Sequence, residues 1–198
     1  MTHVAQGTIT RLLGELGAGN RAALDELLPL IYDELRVLAR LQRRRWHGDY
    51  TLDTTALVHE AYVKLVDQKH VDARTRTHFL AVAAKAMRHI LCNYARDRRR
   101  QKRGGDLQRL SLDDIESVPG KVTFSAEQAE VLAALDEALR RLEATERFQR
   151  DVVECRVFAG MSIEDTAAAL GASPATVKRA WSLARAWLYR EMHVHQGY

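Results

Sequence analysis

The 198-residue chain contains few cysteines, prolines and glycines, and these absences narrow the choice of fold class. The 2 cysteines, Cys92 and Cys155, lie far apart without CxxC or metal-type spacing, which argues against a disulfide framework and a zinc module. Both lie among apolar residues, so we expect buried, reduced thiols and a cytosolic setting. With 3 prolines, 11 glycines and almost no alternating β-branched runs, the sequence predicts a helical protein.

Long apolar runs and a secretory leader are also missing. No run approaches the ~20 apolar residues that a membrane span requires. Residues 1–16 lack the charged-then-apolar layout of a signal peptide. The sequence therefore predicts a cytoplasmic protein with no membrane partner.

Motifs typical of enzymes and bound cofactors are absent as well. The sequence has no HExxH, GxSxG, P-loop or GxGxxG pattern. His89 and Cys92 could share a helix face, but no second ligand pair accompanies them, so we expect no metal site and no cofactor. We place four carboxylates at ordinary solvated helix positions, namely Glu60, Asp136, Glu137 and Glu154. We therefore expect a protein that is not an enzyme.

The helical periodicity divides the chain into two small all-α domains. Between Gly104 and Ser125 the periodicity fails, and glycine, proline and scattered acids indicate a flexible linker. Asn20 is expected to cap the second helix, and Pro29 to kink that helix without ending it. The pattern predicts four helices in residues 1–103, a linker over 104–125, and further helices in 126–198, where the last pair forms a helix-turn-helix.

The helix-turn-helix prediction rests on "MSIEDTAAALGASPATVKRAWSLARAWL", Met161–Leu188. Gly171 accepts the left-handed conformation that ends helices, Ser173 offers a hydroxyl as N-cap, and Pro174 suits the first helical position. Behind this cap an apolar stripe runs along one face, and basic residues lie off that stripe. We expect Trp181 and Trp187 to act as packing anchors. A helical hairpin with a solvated basic face would fit the same spacing.

A second basic feature is "MRHILCNYARDRRRQKRGG", Met87–Gly105. Cations near a helix C-terminus interact favourably with the helix dipole, but so many like charges repel one another and favour an anionic partner. Nucleic acid suits this segment better than a membrane surface, because the apolar face of the helix is needed for a core. A solvated basic helix end is the alternative. The cations are Arg88, Arg96, Arg98, Arg99, Arg100, Lys102 and Arg103.

Taken together, these segments resemble the extracytoplasmic-function (ECF) sigma factors, the two-domain branch of the bacterial sigma-70 family. "LVHEAYVKLV" and "THFLAVAAKAMRHILCNYARDRRR" resemble the second conserved region of that family. The segment from "ALDEALRR" to "ARAWL" resembles the fourth region. The resemblance extends from about Thr8 to Leu188, and its first part is the more diagnostic, since a helix-turn-helix also occurs in many repressors.

The resemblance implies an alternative sigma factor that directs core RNA polymerase to promoters. The second helix of the helix-turn-helix would enter the major groove of the minus-thirty-five element, and its domain would contact the flap of the second-largest subunit. Its DNA contacts would be Ser173, Thr176, Lys178, Arg179, Ser182 and Arg185. The first domain would melt and hold the minus-ten element through His78, Phe79, Arg88, Asn93, Arg96 and Arg99. Phe79 and Tyr94 suit stacking on bases or a place in the core.

Polymerase docking is the second implied role of the first domain. The resemblance assigns it, on the clamp helices of the largest subunit, to Asp53, Leu57, Val58, Glu60 and Tyr62. Family members often carry an Asp-Ala-Glu-Asp cluster here, whereas this chain has "DTTALVHE" with Asp53 followed by Thr54 and Thr55. Missing acids should weaken docking. Phosphate on either threonine would return negative charge to the first helical turn, so we hypothesise activation by a Ser/Thr kinase. Simple helix capping by these threonines is the alternative, and an anti-sigma partner is left open.

Two other functions fit parts of the pattern. A stand-alone helix-turn-helix regulator that never contacts polymerase would bind duplex DNA tightly by itself, as a dimer on a palindrome. An RNA-binding regulator would use the arginine-rich segment, but it leaves the well-capped second helix unexplained.

Overall fold

The computed structural model describes residues 2–45, 54–67, 75–103 and 126–194. These residues are helical almost throughout, with no strand among them, so the predicted all-α fold is confirmed. A π-helical turn, Glu154–Phe158, follows the sixth helix. The helices are α1 (Thr2–Gly17), α2 (Ala22–Arg45), α3 (Thr54–Asp67), α4 (Arg76–Arg103), α5 (Ala126–Thr145), α6 (Arg147–Val153), α7 (Ile163–Leu170) and α8 (Pro174–Val194).

In the first half of the chain, helices α1 to α4 bury the predicted apolar stripes. On α2, Leu24, Leu27 and Ile31 are almost fully buried, and the helix continues through Pro29 as expected. Gln42 is buried at the far end of α2, where its Nε2 donates to the carbonyl oxygen of Ala84 on α4 (2.8 Å). This bond ties α2 to the middle of α4.

The expected cap of α2 is different in the structure. The Asn20 side chain donates from Nδ2 to Glu15 Oε2 of α1 (3.2 Å), and α2 begins at Ala22. Asn20 lies two positions before Ala22, so it precedes the N-cap position that the sequence pattern assigned to it.

In the second half, local caps define where helices α7 and α8 begin and end. Ser162 Oγ accepts from the backbone N–H of Asp165 (2.9 Å), and the Asp165 carboxylate accepts from the backbone N–H of Ser162 (3.4 Å), which completes a capping box. Gly171 ends α7 with a φ of 62°, the left-handed conformation predicted for it.

The two halves pack against each other. Helix α4 contacts α5, the π-helical turn and α7, and one apolar core includes residues of both halves, such as Met87 and Phe158. At Gly160, whose φ is 68°, an added Cβ would lie 2.5 Å from Leu41 Cδ2 of α2. This atom is the end of a flexible side chain that can move aside, so it is mainly the positive φ that favours glycine here.

The predicted linker, residues 104–125, lies outside the described residues, and so does Asp53. Among the residues that are described, no helix is long and apolar enough to cross a membrane. Cys92 and Cys155 are both buried free thiols, as the sequence predicted.

Candidate nucleic-acid interface

The N-terminal turn of α8 presents the predicted hydroxyl groups to solvent. Ser173 Oγ accepts from the backbone N–H of Thr176 (3.1 Å), and the two side-chain oxygens lie 2.8 Å apart in a further hydrogen bond. Both residues are exposed. Backbone N–H groups at a helix N-terminus, with hydroxyls beside them, form a natural binding site for a phosphate.

The outward face of α8 carries the predicted cations. Lys178 and Arg179 are exposed, and so is Arg185, whose guanidinium lies over the ring of Trp181 (5.7 Å to the centroid). Ser182 is exposed, but its hydroxyl donates to the carbonyl oxygen of Lys178 one turn earlier (3.1 Å). All six predicted residues of this helix are therefore accessible to a partner.

The opposite face of α8 fixes the helix to the rest of the second half. Val177 and Ala180 are buried against Ala167 of α7 and Val152 of α6. Trp181 is half-buried, and the guanidinium groups of Arg156 and Arg185 each lie 5.7 Å from its ring centroid. It packs as an anchor, as predicted, and holds the basic surface in a defined orientation.

On α4, the predicted minus-ten contacts do not share one exposed surface. Asn93 is exposed, and His78 is half-buried. Phe79 is 2% exposed and belongs to the core, which favours packing over base stacking for this residue. Tyr94 is half-buried and donates to Glu60 Oε1 (2.6 Å), and this bond raises the pKa of Tyr94 to about 12. The Arg99 side chain lies outside the described residues.

Arg88 occupies a position that the sequence did not predict. It is 4% exposed, and its Nε donates to Glu154 Oε1 (2.9 Å) and Oε2 (3.1 Å) while Nη1 donates to Asp136. The expectation that Asp136 and Glu154 are ordinary solvated carboxylates is wrong, because each is 3% exposed. A buried charge requires a close partner, and here helix α5 and the π-helical turn supply two partners to α4.

Further cations complete this cluster. Asp136 Oδ2 also accepts from Arg96 of α4 and from Arg140 of α5 (2.5 Å for Arg140). The Arg88 guanidinium lies over the ring of Phe158 (5.4 Å). We call Arg88, Asp136 and Glu154, with Arg96 and Arg140, the Arg88 network.

His89 borders the Arg88 network. Arg88 Nη2 lies 2.8 Å from His89 Nε2, and since a guanidinium can only donate, Nε2 is the acceptor of a neutral ring. Burial and then the charge of Arg88 lower the pKa of His89 to about 3. His89 is therefore neutral at physiological pH.

The predicted docking residues on α3 are only partly available to a partner. Leu57 and Val58 are 0% and 1% exposed, so their side chains pack in the core instead of facing a partner. Glu60 is half-buried against Tyr94, and Tyr62 is half-buried and donates to Asp25 of α2. Of the predicted docking residues, Leu57 and Val58 are therefore core residues, and docking through α3 stays a prediction.

Other side chains on these helices are exposed, and the sequence analysis did not single them out. On α3, His59 and Val63 face solvent, and on α8 so does Leu183, which is 54% exposed. The buried residues of α3, which include Leu57, Ala61 and Leu65, follow helical spacing, and the exposed Val63 lies off that stripe.

The two threonines at the start of α3 differ in their surroundings. Thr54 is 6% exposed, and its Oγ1 accepts from Arg43 Nη1 of α2 (2.7 Å). Thr55 is half-buried. A guanidinium next to the first turn of α3 is a feature that the sequence pattern did not reveal.

The described residues thus form an all-α protein with a well-capped basic helix on its surface and a second basic helix packed inside. The family model for ECF sigma factors matches residues 6–194, nearly the whole chain. No curated protein and no solved structure matches the chain. The chain belongs to the ECF sigma factors, so it is an alternative sigma factor for transcription initiation, a regulatory protein whose partners are RNA polymerase core and promoter DNA.

Proposed function

We propose that this sigma factor reads the minus-thirty-five element with α8 and holds the opened minus-ten strand with α4. The observation that carries the first role is the exposed N-terminal surface of α8, where two hydroxyls, Lys178 and Arg179 lie together. Arg and Lys suit guanine edges and phosphates in a major groove, and Ser and Thr suit phosphates. Residues 126–198 form the upstream-reading domain in this proposal, and residues 1–103 form the strand-holding domain.

Core polymerase binds to the first domain through α2 and α3. Val37 of α2 and Val63 of α3 are both more than half exposed, and in this proposal they contact the polymerase. The clamp helices of the largest subunit are that partner, and the flap of the second-largest subunit contacts the second domain.

In vitro transcription of genomic DNA tests this function and does not require a known promoter. Purified core is incubated with this chain, and the 5′ ends of the transcripts are sequenced. We expect a set of new start sites that share two upstream elements. Start sites identical to those of core alone would contradict the proposal.

The stand-alone regulator makes the opposite prediction about the free chain. Such a protein binds a palindromic duplex tightly without polymerase. We expect the free chain to bind promoter duplex weakly and to gain affinity when core is added, which mobility-shift titrations with and without core will measure.

Phosphorylation at the start of α3 regulates docking in this proposal. The support is the Arg43 guanidinium, 2.7 Å from Thr54 Oγ1, because a phosphate there gains a charge-assisted partner as well as the positive end of the helix dipole. Thr55 is the more accessible of the two residues. A Ser/Thr kinase would add about −1.5 to −2 charges to this turn.

Phosphomimetic variants test the regulation. Thr54→Asp and Thr55→Asp are compared with Thr75→Asp, a matched control at the start of α4, where the Thr75 hydroxyl accepts from the backbone N–H of His78 (3.1 Å). We expect one or both α3 variants to bind core about tenfold more tightly, a change of ~1.4 kcal/mol. Equal affinities in all three variants would contradict the kinase hypothesis.

A further inference from the structure

The face of α4 that is turned to the second half of the chain is a basic stripe. Successive positions along one side of the helix carry Ala81, Lys85, Arg88, Cys92 and Arg96, at spacings of three or four residues. From Lys85 to Arg96 the stripe is about 16 Å long at 1.5 Å per residue. Three cations therefore point to the same side of α4.

Carboxylates of the second half cover this stripe in the structure. Asp136 of α5 binds Arg88 and Arg96, and Glu154 of the π-helical turn binds Arg88 through both oxygens. Lys85 is half-buried and lies in the field of Glu143 and Glu154. The nearby Arg150 binds Glu143 and Asp151, so the carboxylates that neutralise α4 directly are Asp136 and Glu154.

Apolar contacts continue the interface beside the Arg88 network. Ala81 of α4 packs with Cys155, Met161 and Ala169 of the second half. Cys92, on the stripe itself, has its Sγ 3.9 Å from Arg88 Nη1. Burial raises the pKa of both thiols, to about 12 for Cys155, so neither reacts readily while the halves are in contact.

We propose that this basic stripe of α4 is a binding surface for the phosphodiester backbone of an opened DNA strand, and that in the free chain Asp136 and Glu154 occupy it in place of phosphates. The free sigma factor is then a closed form, and strand binding requires the second half to leave α4. The inference rests on the proposed strand-holding role of α4 and adds to it which face binds and what blocks that face.

Carboxylates and DNA phosphates bind the cations of the stripe in the same way. A guanidinium binds a carboxylate and a phosphate with the same pair of parallel N–H donors. Removing the carboxylates leaves Arg88 as an uncompensated buried charge in the closed form, but as a solvated charge when the halves separate. Loss of these two acids therefore shifts the equilibrium towards the open form.

The test uses the whole 198-residue chain with its native cysteines. The double variant Asp136→Asn/Glu154→Gln keeps the side-chain shapes and removes two negative charges. Its charge-matched control is Glu130→Gln/Glu146→Gln, which alters two exposed acids of the second half outside the Arg88 network. Thiol modification of Cys92 and Cys155 measures opening, and fluorescence anisotropy with a labelled single-stranded oligonucleotide at fixed salt measures binding.

We expect the double variant to react with a thiol reagent at least about tenfold faster than the wild-type chain, and to bind the oligonucleotide at least about tenfold more tightly. The control should retain wild-type thiol protection and show only the small gain in binding that its charge change causes. Far-UV circular dichroism on each variant verifies that the helices are intact.

A third variant keeps the inference testable if the double variant does not fold. Arg88→Leu/Asp136→Leu/Glu154→Leu replaces the buried ions by apolar side chains, a change that often leaves a packed interface intact. We expect its thiols to stay protected and its oligonucleotide binding to stay at or below the wild-type level. Rapid thiol modification in this variant, with helices retained, would overturn the closed form.

The remaining outcomes separate the inference from the proposed function. Thiol protection that is unchanged in a folded double variant overturns the closed form. If the thiols of the double variant react rapidly but the oligonucleotide binds no more tightly than to the control, the phosphate-binding stripe is overturned. Transcription of genomic DNA with core would still support the sigma function in that case. Strong oligonucleotide binding by the opened variant, with no transcription, would support the stripe and contradict the proposed function.

Discussion

The guanidinium group of Arg88 shows how one residue depends on several elements at once. Its donors bind carboxylates from α5 and from the π-helical turn, and a neutral His89 accepts a further bond. A buried cation with all of its partners is stable, whereas the same cation without one carboxylate is costly. The protonation of its neighbours therefore matters to the free energy of unfolding.

A first prediction concerns His89 and pH. The folded-state pKa of about 3 lies below the ordinary 6.5, so between pH 6.5 and 3 the unfolded chain binds a proton that the folded chain does not. Stability contributed by the neutral ring is fully present above pH 6.5 and falls as the pH drops through this window. The positive groups that oppose protonation are Arg88, Lys64 of α3, Lys85 of α4 and Arg150 of α6.

The variant His89→Gln tests this, because an amide oxygen can still accept from Arg88 but does not titrate. We expect its free energy of unfolding, measured by urea titration, to fall less steeply than that of the wild-type chain between pH 6.5 and about 4, inside the window set by the pKa of His89. Parallel curves for the two proteins would show that His89 does not take part.

A second prediction concerns Arg179. In a holoenzyme with core, Arg179→Ala should lower the affinity for the upstream element by about 1–3 kcal/mol if the side chain contacts a base, and relax the preference at that base pair. Arg190→Ala is the control, since this exposed residue lies eleven positions further along α8, about 16 Å from Arg179. Promoter libraries bound by each holoenzyme and sequenced will measure both effects.

At the scale of the elements, α7 and α8 have ends that are built from neighbouring residues. Ser162 and Asp165 begin α7, Gly171 ends it, and Ser173 begins α8. Each of these contacts joins residues three positions apart or depends on one φ angle. This is why the turn between the two helices could be predicted from the sequence. The same local contacts hold α8 in a defined orientation relative to α7.

A third prediction follows for the capping box. Ser162→Ala removes the acceptor for the Asp165 N–H, and we expect a loss of about 1 kcal/mol in the free energy of unfolding. Ser182→Ala is the matched control, because that hydroxyl only bonds back to the Lys178 carbonyl within α8. Chemical denaturation of both variants provides the comparison, and equal stabilities would refute a capping role.

At the scale of the whole molecule, the continuous core makes the two halves depend on each other. Phe158 is fully buried in a cluster that includes Met87 of α4 and Leu57 of α3. Packing of this kind couples the stability of elements that are distant in sequence. The chain is therefore expected to unfold as one unit while it is in the closed form.

A fourth prediction tests this coupling. Phe158→Ala, a change in the second half, should destabilise the chain by about 3–5 kcal/mol. It should also speed amide hydrogen exchange in α2 and α3 of the first half. Exchange that accelerates only in α5 to α8 would contradict a shared core.

Much of this molecule is determined by the sequence alone. The 3.6-residue apolar stripes defined the helices, and Gly171 and Ser173 defined the turn before α8, because these preferences act within about four residues. The exposure of Lys178 and Arg179 followed from the same stripes. The family resemblance, confirmed by the match over residues 6–194, indicated the function in transcription initiation.

Only the tertiary structure decided which charges are buried. Arg88 meets Asp136 and Glu154 across 48 and 66 positions of the chain, a separation at which no local pattern carries information. Leu57 and Val58, which the resemblance assigned to docking, lie in one core cluster with Phe158 of the second half. Local sequence fixes where a helix lies in the chain, but the environment of each of its faces is fixed by contacts with distant segments.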